Sequence, residues 1–119
     1  MNPSEQRAEG VLDLDRALSR LAGNQKMFGE LAEIFLRESP RWMAQLEKAV
    51  SESDPDGVFR AAHDLKGSTD VFCAGAAVKA AQQLERMGRE EDLSGADEAL
   101  GALKAEVVWV RNALKEHLE

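Results

Sequence analysis

Three side chains in one short stretch have types and spacing that could do chemistry: His63, Lys66 and Gly67, within Arg60-Ala61-Ala62-His63-Asp64-Leu65-Lys66-Gly67-Ser68. Read as a helix, with about 100° per residue, the segment places Val58, Ala61, Leu65, Thr69 and Phe72 on the half opposite His63. Asp56, Phe59, Arg60, Lys66, Gly67 and Asp70 fall within about 60° of it by the same geometry. The pattern predicts an imidazole aimed at solvent from a polar face rather than a core histidine. Glycine inside a helix costs about 1 kcal/mol relative to alanine. At position i+4 from His63, Gly67 leaves open the place where a side chain would cover the ring; the alternative is that it lets a neighbouring helix come close. Imidazole, with an ordinary pKa of about 6.5, is largely neutral at pH 7 and hence nucleophilic. Lys66, at i+3, can reach a group attached to the ring, disfavours imidazolium, and would pair with phosphoryl oxygens. Together the three residues describe a phosphate-accepting nucleophile with access and charge compensation.

The scaffold that must position them is legible from length and periodicity. The chain has 119 residues, enough for one domain and one core. Its 22 acidic and 15 basic side chains give a net charge of −7, which argues against nucleic acid or an anionic membrane as main partner. A single cysteine, Cys73, rules out an intrachain disulfide and a Cys/His zinc set. The polar start and the lack of any membrane-length apolar run predict a soluble, reduced, cytoplasmic setting.

Residues 1–11 lack periodicity and read as a flexible lead-in, followed by one domain over 12–119. A short helix is predicted from about Leu14 to Ala22, capped by Asp13 and stopped by Gly23. Asn24 opens a second, whose apolar positions Phe28, Leu31, Phe35, Trp42, Leu46 and Ala49 keep phase across Pro40. That continuity predicts one long helix bent at the proline. Asp54-Pro55 starts a third helix reaching about Phe72. A fourth covers roughly Ala76 to Met87 with Gly88 as its stop, and Ser94 with Asp97 suggests a capping box for the last. The last helix carries Ala96, Leu100, Leu103, Val107, Val110 and Leu114. No segment alternates with period two. The expected fold is all-α: an antiparallel up-down-up-down four-helix bundle with a short N-terminal capping helix.

The segment Ala62-His63-Asp64-Leu65-Lys66-Gly67-Ser68 resembles the histidine phosphotransfer (HPt) domains of two-component phosphorelays, following their pattern of His, any residue, Leu, Lys, Gly and a small residue. Support outside it comes from Leu18-Ser19-Arg20-Leu21-Ala22-Gly23-Asn24, from Phe35-Leu36 before Pro40, and from Leu84-Glu85 before Gly88. The likeness runs in layout from about Leu12 to Leu118. It implies that His63 accepts a phosphoryl group from a receiver-domain aspartyl phosphate and passes it to another receiver aspartate. It also implies a polar side chain from the next helix beside the histidine, for which Glu85 is the best positional match, with Gln82 one turn earlier. A carboxylate there would either hold the Nδ1 proton, exposing Nε2, or stand solvated. One departure is Cys73, ten places after the histidine, where the family usually has glycine; Gly75 follows two residues later.

With nothing in the chain to bind ATP or magnesium, the metal is expected to come with the partner receiver domain, and no intrinsic cofactor is expected. Phe59, Arg60, Asp64 and Asp70 are the docking candidates around the ring, on a monomer whose reactive face stays free. Two alternatives share the scaffold: a phosphoacceptor domain fed directly by a histidine kinase, and a non-catalytic helical adaptor, against which His63, Lys66 and Gly67 speak. A metal-binding bundle is disfavoured, since no second histidine stands at i+3 or i+4 from His63. His117 reads as a surface residue, Ser68 as a small packing residue, and Cys73, Trp42 and Trp109 as packing groups.

Overall fold

In the computed structural model, which describes residues 12–119, the chain forms five helices: α1 (Leu14–Arg20), α2 (Gln25–Ser51), α3 (Pro55–Asp70), α4 (Gly75–Arg89) and α5 (Ala96–Leu118). The predicted lead-in lies outside the described residues. No strand occurs among them, and no helix is long and apolar enough to cross a membrane. Three of the helix starts follow their caps: Asp13 accepts from the Arg16 N–H, Asn24 from Met27 and Asp54 from Gly57. The expected Ser94–Asp97 box does not form. Gly95, at φ +79°, occupies the cap position, so Ser94 stands one residue too early and its N–H donates to Asp92 instead.

Cross-helix contacts fix the topology. Ala49 approaches Gly57 while Phe35 meets Phe72, so α2 and α3 run antiparallel. His63 meets Glu85 while Phe59 meets Gly88, and α4 therefore reverses α3. Arg111 bonds the Leu36 carbonyl while Lys104 pairs with Glu47, so α5 returns along α2 and closes the bundle. Inside sit Phe28, Phe35, Leu46, Val58, Leu65, Phe72, Leu84, Leu103, Val110 and Leu114, all at most 1% exposed. The Phe72 ring meets Phe28 and Phe35 edge-to-face at 5.5 and 5.6 Å. The α2 stripe drifts from the near-heptad spacing of the expected positions: Ala32, Ser39 and Met43 are buried, whereas Leu31 and Trp42 are half-buried. A straight helix at 3.6 residues per turn rotates relative to a 3.5 repeat, which accounts for the shift. Helix α1 lies across one end, with Leu12 and Ala17 buried and Arg20 donating to the Asp70 carbonyl at 3.0 Å.

Helix α2 continues through Pro40 without a break. Proline has no N–H to give the carbonyl one turn back, that of Leu36. The Arg111 guanidinium of α5 takes over, donating to the Leu36 carbonyl at 2.7 Å and to the fully buried Ser39 hydroxyl at 2.6 Å. A charged donor from a different helix thus replaces the missing backbone bond.

The turns after α1 to α4 share one closure. Ala22, Ser53, Cys73 and Glu91 take left-handed φ values of 51–56°, and the next N–H in each case returns to a carbonyl five residues back. Cys73 therefore holds the conformation that glycine adopts freely, at a strain of roughly 1–2 kcal/mol, and the turn keeps its geometry. Helix α3 stops at Asp70, two residues before the expected Phe72, because this closure begins there. Gly88 is not a helix stop. It lies inside α4, where a Cβ would come within 2.6 Å of the Phe59 nitrogen and the Pro55 oxygen. Close approach of α3 and α4, the alternative considered for Gly67, belongs to Gly88.

Replacing Arg111 by Met keeps an apolar stem but removes the donor to Leu36 and Ser39. The variant is expected to lose about 1.5–3 kcal/mol of unfolding free energy, the scale of hydrogen bonds to a charged group. Urea unfolding checks this, and an unchanged midpoint would show that Pro40 needs no compensation.

Candidate functional site

Because α3 and α4 run antiparallel and touch at Gly88, His63 and Glu85 face each other one turn along from that contact. The His63 side chain is 61% exposed, whereas that of Glu85 is 4% exposed. Nδ1 lies 2.7 Å from Glu85 Oε2. The other carboxylate oxygen accepts from Lys66 Nζ at 2.9 Å and from Arg89 at 3.2 Å. Burial pushes the Glu85 carboxyl up, but hydrogen bonds from Lys66 and His63, with the charge of Lys66, outweigh it and hold it below its ordinary value. An ionised carboxylate only accepts hydrogen bonds. Nδ1 must then carry the hydrogen, and in the neutral ring the Nε2 lone pair is the free one.

Gly67 is exposed one turn along α3 from the ring, and beyond the helix's own neighbouring backbone no heavy atom lies within 4 Å of where its Cβ would stand. Phe59 flanks the imidazole on the other side. It was expected to point outward, but it is half-buried, 15° from coplanar with His63 at a centroid distance of 6.0 Å. The cause lies in α4, since Gly88 packs on the Phe59 backbone and Arg89 lies over its ring at 5.5 Å.

The other expected residues are more dispersed. Arg60 and Asp64 are exposed beside His63, with Arg60 paired to Asp56 at 2.9 Å. Asp70, two turns along α3, is exposed and engaged with Arg20 of α1. Gln82 is exposed one turn before Glu85, and among the described residues no hydrogen bond joins it to the imidazole. The Ser68 hydroxyl bonds back to the Asp64 carbonyl. His117 is exposed at the far end of the bundle, edge-on to Phe28 at 4.8 Å. Sequence reasoning missed Arg89 altogether. Its signal was present as the i+4 position from Glu85, the spacing at which a helix pairs a carboxylate with a cation.

The buried carboxylate makes a pH-dependent contribution with a definite sign. Its folded pKa is depressed, so the stabilisation is present above the ordinary glutamate value near 4.5 and fades as pH falls through the folded value. Glu85→Gln should therefore be less stable than the unaltered chain at pH 7, and the gap should close towards pH 3 (about one unit below the ordinary range). Denaturant titrations at the two pH values measure this; a gap that widens in acid would contradict the ionised state.

Comparison with known proteins adds independent findings. No curated protein matches the chain in sequence. Among solved structures it is similar to histidine-containing phosphotransfer protein B (HptB) from Pseudomonas aeruginosa PAO1, with a TM-score of 0.83 and 24% identity. The match covers 91% of this chain and 94% of that one, a likeness of fold. The family model described as "Hpt domain" matches residues 30–113, a span holding all of α3 and α4, the His63–Glu85 pair and most of α2 and α5. The chain belongs to the Hpt domain family.

Proposed function

We propose that the chain is a phosphorelay intermediate. His63 Nε2 takes a phosphoryl group from an aspartyl phosphate of one receiver domain and yields it to the aspartate of another. The observation that carries this reading is the division of the imidazole: Nδ1 is bonded to a buried carboxylate while the rest of the ring stands in the open. In the transfer, the Nε2 lone pair attacks phosphorus, the bond from phosphorus to the aspartyl oxygen breaks, and the carboxylate leaves with the electron pair. The ring keeps its Nδ1 hydrogen and gains positive charge, which Glu85 faces at 2.7 Å. The return step reverses these changes.

Lys66 supplies positive charge beside the incoming phosphoryl oxygens, and Gly67 leaves room for the receiver to reach the ring. Phe59, Arg60 and Asp64 form the contact rim around His63, with Asp70 at its outer limit. Magnesium comes with the receiver, whose carboxylates hold it. A transient interface suits a carrier that must leave one partner before meeting the next.

Incubation with a phosphorylated receiver and magnesium should place an acid-labile, base-stable phosphate on the chain. His63→Gln should take up none; uptake by that variant would show that the nucleophile is elsewhere. Gly67→Gln should keep its helical circular-dichroism signal and transfer on the order of 10²-fold more slowly, the scale of a misplacement near 1 Å. An unchanged rate would remove the access role of Gly67. Labelling by ATP and a kinase domain with no receiver present would favour the direct kinase route instead.

A further inference from the structure

Helix α4 concentrates positive charge in a chain whose net charge is −7. It sets Lys79, Arg86 and Arg89 against one carboxylate, Glu85. That carboxylate is buried and already occupied by His63, Lys66 and Arg89. Lys79 and Arg86 are different: both are exposed, and among the described residues no ion pair engages either. Positions 79, 82, 83 and 86 share one helix face by their three-and-four spacing. With Lys66, Glu85 and Arg89 they line an open polar depression.

We infer that this basic edge of α4 is a docking surface for the acidic mouth of the receiver's phosphorylation pocket, seating the partner on the α3–α4 side of His63. The inference rests on the phosphotransfer reading above. A pocket that binds magnesium and bears a phosphorylated aspartate is built from carboxylates and gains further negative charge from the phosphoryl group. A chain of net charge −7 repels such a partner over most of its surface. Along α4 the sign reverses, and Lys79 and Arg86 have charge to offer because no carboxylate among the described residues holds it. Complementary patches of this kind raise encounter rates by 10- to 10³-fold in general and fix orientation more than they add affinity. Both cations lie outside the group that touches the imidazole, so their loss leaves the bonds to Glu85 in place.

The test compares the unaltered chain with Lys79→Glu/Arg86→Glu, using a receiver domain phosphorylated with acetyl phosphate in magnesium. Between about 0.01 M and 0.15 M salt the Debye length falls from about 30 Å to about 8 Å. The second-order transfer rate of the unaltered chain should fall about three- to tenfold over that range. The double variant should be about tenfold slower at low salt and should not share that fall, its rate rising with salt as screening weakens the repulsion of the reversed edge, with an unchanged rate at saturating receiver. A double variant as fast as the unaltered chain at low salt overturns the surface. Titration of a fluorescently labelled receiver into each chain carrying His63→Gln asks the same question without transfer. There, weaker low-salt binding by the double variant supports the surface, and equal binding overturns it. Absence of transfer to the unaltered chain would sink the phosphorelay reading while leaving the binding comparison to judge the surface. Charge-dependent binding of duplex DNA or phosphatidylserine vesicles, with receiver binding unaffected, would assign the edge to another partner and overturn the inference.

Discussion

A carboxylate removed from water is costly unless its charge is met, and the site of this protein is organised around one such group. Glu85 is 3% exposed and receives three donors: the His63 imidazole, the Lys66 ammonium and the Arg89 guanidinium. Two helices hold the three donors. His63 and Lys66 are one turn apart on α3, and Arg89 is one turn from Glu85 on α4. Remove the carboxylate and the imidazole loses the acceptor that sets its tautomer, while two cations lose their common partner. The same bond that makes burial tolerable therefore leaves a defined nitrogen facing outward.

That arrangement depends on the distance between two helices, which two glycines set in opposite ways. Gly88 lets the α4 backbone come against Pro55 and Phe59, drawing Glu85 within hydrogen-bond reach of His63. Gly67 has empty space where a side chain would stand, the room that the proposed transfer requires beside the imidazole. One glycine removes bulk so that the protein can pack; the other leaves its space open to solvent. The rest of the bundle keeps this pair of helices in register, including the Arg111 bond that carries α2 through Pro40.

Much of this was legible in the residues because it is local. Side-chain caps at Asp13, Asn24 and Asp54, the continuous phase across Pro40, and the outward direction of His63 and Gly67 all follow from short-range geometry. What could not be read depends on neighbours distant in sequence. Glycine is a helix stop and a close-packing residue with equal ease, and only the α3 backbone beside Gly88 decides between the two. Phe59 looked outward by angle alone, yet Arg89 and the α4 backbone cover part of it. The Ser94 cap failed by one residue because Gly95 took the left-handed position. Cys73 shows the converse: an apparent departure from the family pattern keeps the turn, since the backbone closure and not the residue type is what the helix end requires.

The central claim is that Glu85 holds the hydrogen on Nδ1 and so leaves Nε2 as the atom that carries phosphate. Nitrogen-15 and phosphorus-31 NMR of the chain labelled at its histidines reads this directly. An Nδ1–H tautomer is expected in the free protein, and a phosphorus coupling to Nε2 after transfer. An Nε2–H tautomer, or phosphorus bonded to Nδ1, would contradict it.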